Sequence, residues 1–276
     1  MKKDEGYFSS KDNTRLYWQS IAPEAPKAWV AVVHGYGDHS GRYRVPMEAL
    51  AKAGFASMAL DYRGHGKADG KRGDVLHWSD YLDDLDVFWA RVRQAAGSLP
   101  TFVLSHSNGS LIASHWAARK PAGLQGLLLG SPFYELAFQP PALKLLGARL
   151  IRPILPGLSL NNELKIEQLS RDEAWQKESA ADPLYIHVTT PRWFFETLGA
   201  QAQLAGKGRE LTLPIYMWGG DSDAIASMPA AKAFFDTIAS TDKTWKEWPG
   251  MRHEVLNELG KEEVYATIAS WISAHL

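Results

Sequence analysis

The chain contains no cysteine. That excludes a disulfide framework, a thiol nucleophile and any cysteine metal site, and it leaves the redox state of the compartment without a mark. An excess of charge of one sign is missing too. Lys plus Arg number 30 against 31 Asp plus Glu, a formal net charge of −1, so no long-range field recruits nucleic acid or an anionic membrane. Long hydrophobic runs are also absent. The most apolar stretch, Leu143 to Leu160, is interrupted by Lys144, Arg149 and Arg152 and by Pro153 and Pro156, and it cannot span a bilayer. The first residues, Met1-Lys2-Lys3-Asp4-Glu5-Gly6, are basic but lack the apolar core of a signal peptide, so the cytoplasm is the default expectation. There is no internal repeat and no low-complexity tract.

What is present is a globular composition, 45% hydrophobic over 276 residues, enough for one large domain or one domain with an insertion. Short apolar or β-branched runs alternate with helix-length amphipathic ones, the pattern of an α/β fold with a largely parallel sheet. The runs Ala28 to Val33, Phe55 to Leu60, Thr101 to Leu104, Leu124 to Leu129, Ile215 to Trp218 and Lys243 to Glu247 predict strands. Trp78 to Arg93 carries Leu82, Leu85, Phe88, Trp89 and Val92 at helical spacing, and Lys261 to Ala274 carries Val264, Ile268, Trp271 and Ile272 likewise. Both faces are expected to pack on the sheet. Gly6 to Phe8 and Arg15 to Ser20, flanking Asp12-Asn13, predict a hairpin at the sheet edge.

The alternation breaks from about Phe133 to Ala205, where no strand is predicted while Pro, Leu and aromatic residues accumulate. That is too long for a plain loop in a compact domain. It predicts a helical cap inserted between core strands, lying over the strand C-termini where ligands bind in α/β folds. The expected division is a core of residues 1–132 and 206–276 with a cap of residues 133–205. Most apolar cap residues are expected to hold the cap together, and some to line an apolar entrance.

One segment carries the candidate chemistry. In Thr101-Phe102-Val103-Leu104-Ser105-His106-Ser107-Asn108-Gly109-Ser110 an apolar run ends abruptly and an amphipathic run begins. This reads as a nucleophile elbow centred on Ser107, with Ser105 where the usual G-x-S-x-G pattern has its first glycine. Ser105 as nucleophile would put Val103 and Ser107 at the positions that must be small, which disfavours it. A serine hydroxyl needs a base, and the base needs an orienting carboxylate. In the α/β-hydrolase order these follow the serine as an acid and then a histidine. His253 lies in the loop Trp248 to Glu254, and Asp223 lies in the loop Trp218 to Ile225, with Asp221 as a rival. An oxyanion hole needs two backbone N–H donors. The amide of Asn108, at a helix start, and that of Tyr36, in the turn His34-Gly35-Tyr36-Gly37, are the candidates.

These residues match a family. The chain resembles the α/β-hydrolases of the monoacylglycerol lipase and bacterial lysophospholipase type, also catalogued with serine aminopeptidases. His34 to Tyr43 is similar to the family's HGxGEHSGRY, Asp61 to Gly66 to its D-x-R-G-H-G, Gly220 to Ile225 to its G-x-x-D-x-I, and His253-Glu254 with Asn257-Glu258 to its H-E-x-x-N-E. Leu169 to Asp172 and Asp182-Pro183-Leu184 echo it in the cap. The resemblance covers nearly the whole chain, and its G-x-x-D spacing selects Asp223 over Asp221. Two departures stand out: Ser105 replaces the first elbow glycine, and Asn108 and Ser110 replace the family's Met and Gly.

The resemblance implies a serine hydrolase acting on lipophilic carboxylic esters through an acyl-enzyme, with Ser107, His253 and Asp223 as triad and no cofactor or metal. The expected partner is a small lipophilic ester, not nucleic acid, with transient membrane or micelle contact through the cap. His106 is expected to pack or hydrogen-bond beside the nucleophile. His34, His39 and His65 are expected to hold turns, and Asp61 to Gly66 to brace the loop under the oxyanion turn. Two other readings stay open. An aminopeptidase would need a carboxylate pair drawn from residues such as Glu163, Glu167, Asp172 and Glu173, and a decayed hydrolase would bind lipid without turnover.

Overall fold

Ala28 to Val33 carries an apolar side chain at every position, so a strand there must be covered on both faces. In the computed structural model, which describes residues 1–276, it is covered on both. Val30 and Val32 point into one core, where α1 (Arg44–Lys52) and α8 (Lys261–Ala274) pack. Ala31 and Val33 point into the other, with α2 (Asp80–Ala96), α3 (Asn108–Ala117) and α7 (Met228–Thr237). The sheet is thus sandwiched between two helical layers.

The strands are β1 (Lys2–Ser9), β2 (Arg15–Ala22), β3 (Ala28–Val33), β4 (Phe55–Asp61), β5 (Thr101–His106), β6 (Leu124–Gly130), the short β7 (Leu160–Asn161) and β8 (Val188–Thr189), β9 (Ile215–Gly220) and β10 (Lys243–Trp248). Eight form the main sheet in the order β1-β2-β4-β3-β5-β6-β9-β10. From β4 to β10 every pairing is parallel, and β1 and β2 form the antiparallel edge hairpin. This is the α/β-hydrolase architecture.

Most strands run a residue or two past their apolar runs. In β5 the cause is visible: Ser105 and His106 are polar, yet both are buried and hydrogen-bonded, so the ladder continues to the elbow. The predicted helix faces are buried as expected, with Leu82, Leu85, Phe88, Trp89 and Val92 on α2 and Val264, Ile268 and Ile272 on α8. Trp271 is half-buried and covers the rim of the core, its ring 6.2 Å from that of Phe102.

Between β6 and β9 the chain forms α4 (Ala142–Ile151), α5 (Glu173–Ala181) and α6 (Pro191–Leu204). Asp172 caps α5 by accepting from the amides of Ala174 and Trp175. Thr190 caps α6 ahead of Pro191, accepting from the Trp193 amide. Two expectations for this segment are corrected. It contains the strand pair β7 and β8, whose two-residue length is too short to leave an alternating pattern. The leucines of α4 do not hold it together either. No residue of α4 is buried, and Leu143 and Leu150 are 82% and 66% exposed. No helix is long and apolar enough to cross a membrane.

Candidate active site

β5 delivers Ser107 to the C-terminal edge of the sheet. The chain reverses there with Ser107 at φ 53°, ψ −121°, and α3 begins at the next residue. A non-glycine residue in this region is strained and must be held by its surroundings. Here the Ser107 amide donates to Gly130 O at 2.9 Å, and its carbonyl accepts from the amides of Ser110 and Phe133. Gly109 is required for the turn, because a Cβ there would lie 2.3 Å from Val33 O and 2.4 Å from His34 O.

The loops after β9 and β10 bring two further residues to the serine. His253 Nε2 is 2.9 Å from Ser107 Oγ, and His253 Nδ1 is 2.7 Å from Asp223 Oδ2. The other Asp223 oxygen accepts from the amides of Ile225 and Ala226, which fixes the carboxylate in its own turn. The Ser131 hydroxyl donates to the His253 carbonyl at 2.7 Å and steadies the histidine loop. Asp221 faces elsewhere: it accepts from the Gly250 amide at 2.7 Å and shapes the turn leading to His253. The structure therefore brings Ser107, His253 and Asp223 together and leaves Asp221 and Ser105 out.

The Tyr36 amide has no acceptor within the protein, and Asn108 is the first residue of α3, where amides lack an intrahelical partner. Tyr36 also has a side-chain role that the sequence did not reveal. Its phenol reaches Gly73 O at 2.9 Å and Val188 O at 2.8 Å.

Behind His253 lies a buried ionic layer. His106 Nε2 is 2.9 Å from Glu254 Oε1, Asn257 donates to the other Glu254 oxygen, and the His106 and His253 ring centroids are 4.8 Å apart. Burial works against charge on both partners. For His106 it is outweighed by the attraction and hydrogen bond of Glu254, with Asp38 and Asp223 adding to it, which hold the imidazole above its ordinary pKa. Glu254 is likewise held below the ordinary glutamate range by His106 and, more weakly, by His253 and Arg42. Asp38 lies 2.7 Å from Arg42 Nε, both nearly sealed from solvent, yet burial still raises the Asp38 pKa. The H-E-x-x-N-E motif groups Glu254 and Asn257 with His253, and His106 is expected to pack or hydrogen-bond beside the nucleophile, but the pairing of His106 with Glu254, at a separation of 148 positions, leaves no sequence signal.

The remaining motif residues brace the site. The Tyr62 phenol donates to Gly35 O at 2.9 Å, and its ring stacks on His34 at 4.0 Å. Asp61 accepts from the amides of Ser40 and Lys67. His34 Nδ1 donates to Gly35 O and His65 Nδ1 to Arg63 O; burial lowers both pKa values, to about 3 for His34, and keeps the rings neutral. His39 accepts from the Gly41 amide and donates to Asp182 at 2.8 Å. No group of three or more His, Asp or Glu side chains is arranged to hold a metal ion.

Above Ser107 opens a cavity of about 210 Å³ between the strand-end loops and the segment after β6. Phe133, Leu136, Leu169, Trp193, Phe194 and Ile225 supply its apolar walls. Lys144 and Glu163 also line it, and they pair with each other at 2.7 Å. A buried serine–imidazole–carboxylate line opening into an apolar cavity is the arrangement with which serine hydrolases work.

Comparison with known proteins gives the same class. The family described as "Serine aminopeptidase, S33" matches residues 24–260. A monoacylglycerol lipase of Mycolicibacterium smegmatis is 29% identical over 99% of this chain and 98% of its own length. The monoglyceride lipase of Rattus norvegicus is 31% identical over 93% of this chain and 85% of its own. The crystal structure of a monoacylglycerol lipase of Paleococcus ferrophilus superposes with a TM-score of 0.83 at 27% identity, covering 100% of both chains. The chain belongs to the serine aminopeptidase, S33, family of α/β-hydrolases, in its monoacylglycerol lipase and lysophospholipase branch, and is an ester-hydrolysing member.

Proposed function

We propose that this enzyme hydrolyses uncharged esters of long acyl chains, monoacylglycerols foremost, with Ser107 as nucleophile, His253 as general base and Asp223 as its orienting carboxylate. The observation that carries the reading is the hydrogen-bonded line from Ser107 through His253 to Asp223 at the floor of an apolar cavity. His253 takes the Ser107 proton as Oγ attacks the ester carbonyl, and Asp223 stabilises the imidazolium. The amides of Tyr36 and Asn108 receive the oxyanion, each worth roughly 3 to 4 kcal/mol. His253 returns the proton to the leaving alcohol, then activates the water that releases the fatty acid.

The apolar walls support an acyl chain as the occupant. A phosphate-bearing substrate would need a free cation near Ser107, whereas Lys144 is already paired with Glu163. The aminopeptidase reading lacks a free carboxylate pair at the cavity: of Glu163, Glu167, Asp172 and Glu173 only Glu163 lines it, bound to Lys144, and the other lining carboxylate, Glu254, is held by His106. Residues 133–205 act in this proposal as a cap over a core of residues 1–132 and 206–276. The exposed apolar row of α4 would touch the lipid phase from which substrate enters.

The test is a hydrolysis panel of p-nitrophenyl esters of graded chain length, monoacylglycerol, lysophosphatidylcholine and an aminoacyl amide, with Ser107→Ala as control. Ser107→Ala should lose several orders of magnitude in kcat with its fold intact, and a fluorophosphonate probe should label Ser107. Turnover of the amide alone would overturn the substrate class. Near-full esterase activity in Ser107→Ala would overturn the site.

A further inference from the structure

Residues 34 to 39 belong to no helix or strand, so their position is set by what they touch. Tyr36 touches the inserted segment. Its phenol carries one hydrogen and lies between two carbonyls from distant parts of the chain, Gly73 O at 2.9 Å and Val188 O at 2.8 Å. Its ring centroid is 3.6 Å from that of Trp193 on α6. The next residue continues the contact, because Gly37 O accepts from the Ile186 amide at 2.8 Å. Gly73 sits at φ 66°, and a Cβ there would lie 2.6 Å from both Tyr36 Oη and Val188 O, so only glycine lets the three meet.

The inserted segment is seated at the same point. Asp74, beside Gly73, accepts from Thr190 Oγ1 at 2.7 Å and from Arg192 Nε at 3.1 Å. Residues 36–37, 73–74 and 186–193 therefore form one joint. Burial raises the Tyr36 pKa, so the phenol remains a donor throughout the working pH range.

We propose that the Tyr36 phenol is a positioning residue: by pinning its loop to Val188 and Gly73, it sets the Tyr36 amide in the oxyanion hole, which is complete only while the inserted segment is seated. The proposal rests on the assignment of that amide as an oxyanion donor. A phenol that merely fills space would be replaced by phenylalanine at no catalytic cost, because the ring and its contact with Trp193 would stay. A phenol that positions the amide would not, since displacement of a catalytic group by a fraction of an ångström is felt in kcat.

The experiment uses the full chain with Tyr36→Phe, and Thr190→Val as a second variant that loosens the same joint from the other side. Four quantities are measured: kcat and KM for p-nitrophenyl butyrate, the inhibition constant of an alkyl trifluoromethyl ketone, and the Kd of a 1-O-alkylglycerol ether. The ketone forms a tetrahedral oxyanion on the serine; the ether fills the cavity without one. Both variants should lower kcat by about 10- to 100-fold and weaken the ketone by the same factor. KM and the ether Kd should stay within about twofold, as expected when only transition-state contacts are lost. An unchanged kcat in either folded variant overturns the proposal, and so does equal weakening of ketone and ether. If the wild type forms no ketone adduct, the hydrolase assignment itself fails, which separates that failure from failure of the joint.

Discussion

Ser105 Oγ and Ser110 Oγ lie 3.1 Å apart beneath the elbow, where the family places two glycines. Each hydroxyl also reaches a carbonyl of β6: Ser105 to Leu128 O at 3.1 Å and Ser110 to Gly130 O at 3.0 Å. Gly130 O accepts from the Ser107 amide as well, so the pair and the nucleophile share an anchor. Two hydroxyl hydrogens serve three contacts, so the pair behaves as a coupled unit. The missing elbow glycine has thus been replaced, together with its partner position, by a linked pair of small polar residues.

That coupling is measurable. Ser105→Ala and Ser110→Ala should each cost about 1 kcal/mol of unfolding free energy, the usual net worth of a buried hydrogen bond. The double variant should cost less than the sum, by about 0.5 kcal/mol or more, as for residues in direct contact. Chemical denaturation of the four proteins gives the cycle, and strictly additive losses would show that the hydroxyls act separately. Ser105→Gly, which restores the usual elbow residue, should keep kcat within about threefold, because the strain at Ser107 is held by Gly130 O and Gly109 instead.

The buried His106–Glu254 pair gives stability a defined pH window. His106 has its pKa raised on folding, so its contribution is complete below the ordinary histidine value of 6.5 and is lost as pH rises through the folded value. Glu254 has its pKa lowered, so its contribution is complete above the ordinary glutamate value of 4.5 and is lost as pH falls through the folded value. The pair therefore stabilises most between about 4.5 and 6.5. Glu254→Gln should destabilise by about 3 to 5 kcal/mol in that window, the cost of stranding one partner of a buried ion pair. The gap from wild type should narrow as pH rises above 6.5. Urea unfolding of both proteins across that range is the measurement, and a gap independent of pH would show that His106 is not charged.

Sequence legibility followed the range of the interactions involved. The strand Ala28–Val33 and the helix Lys261–Ala274 are legible residue by residue, because an apolar run and a helical period are local signals. Ser107, Asp223 and His253 are legible because each sits in a loop just past a strand and carries neighbours of distinctive type. Arg44–Lys52 and Met228–Thr237 escape because each carries a proline near its start that reads as a breaker, although proline is tolerated in a first helical turn. The Tyr36 phenol pairs with Val188 at a separation of 152 positions, and nothing in a linear pattern marks such a contact. The solvent-facing leucines of α4 mislead for a related reason. Apolar content alone does not say whether a face meets the protein or something outside it.

Arg63, from the D-x-R-G-H-G motif, yields a prediction about stability alone. It binds the fully buried Asp84 through Nε at 2.8 Å and Nη2 at 2.7 Å, and Asp12 of the edge hairpin through Nη1 at 2.8 Å. This ties the hairpin to the start of α2, away from the cavity. Asp84→Ala should cost about 3 to 5 kcal/mol by leaving the guanidinium without its buried partner. Activity per folded molecule should stay unchanged. Calorimetry paired with active-site titration separates the two, and a loss of turnover in the folded fraction would give Arg63 a role in the site that its contacts do not suggest.

Leu143, Leu146 and Leu150 lie on α4 with Ile154 just beyond it, all more than half exposed, and Lys144, Arg149 and Arg152 stand among them. An apolar row rimmed by cations on a helix at a cavity mouth suits a lipid–water boundary: the leucines enter the acyl layer and the cations stay at the headgroups. Leu143→Glu with Leu150→Glu should therefore leave turnover of a soluble p-nitrophenyl butyrate unchanged. Hydrolysis of monoacylglycerol in vesicles should fall about tenfold or more, because each buried leucine contributes roughly 1.5 to 3 kcal/mol to partitioning. Stability should not suffer, since no residue of α4 is buried. Co-sedimentation with vesicles should weaken in step with the rate. Equal loss on both substrates would instead assign the row to the cavity, and no loss on either would leave α4 without a lipid-facing role.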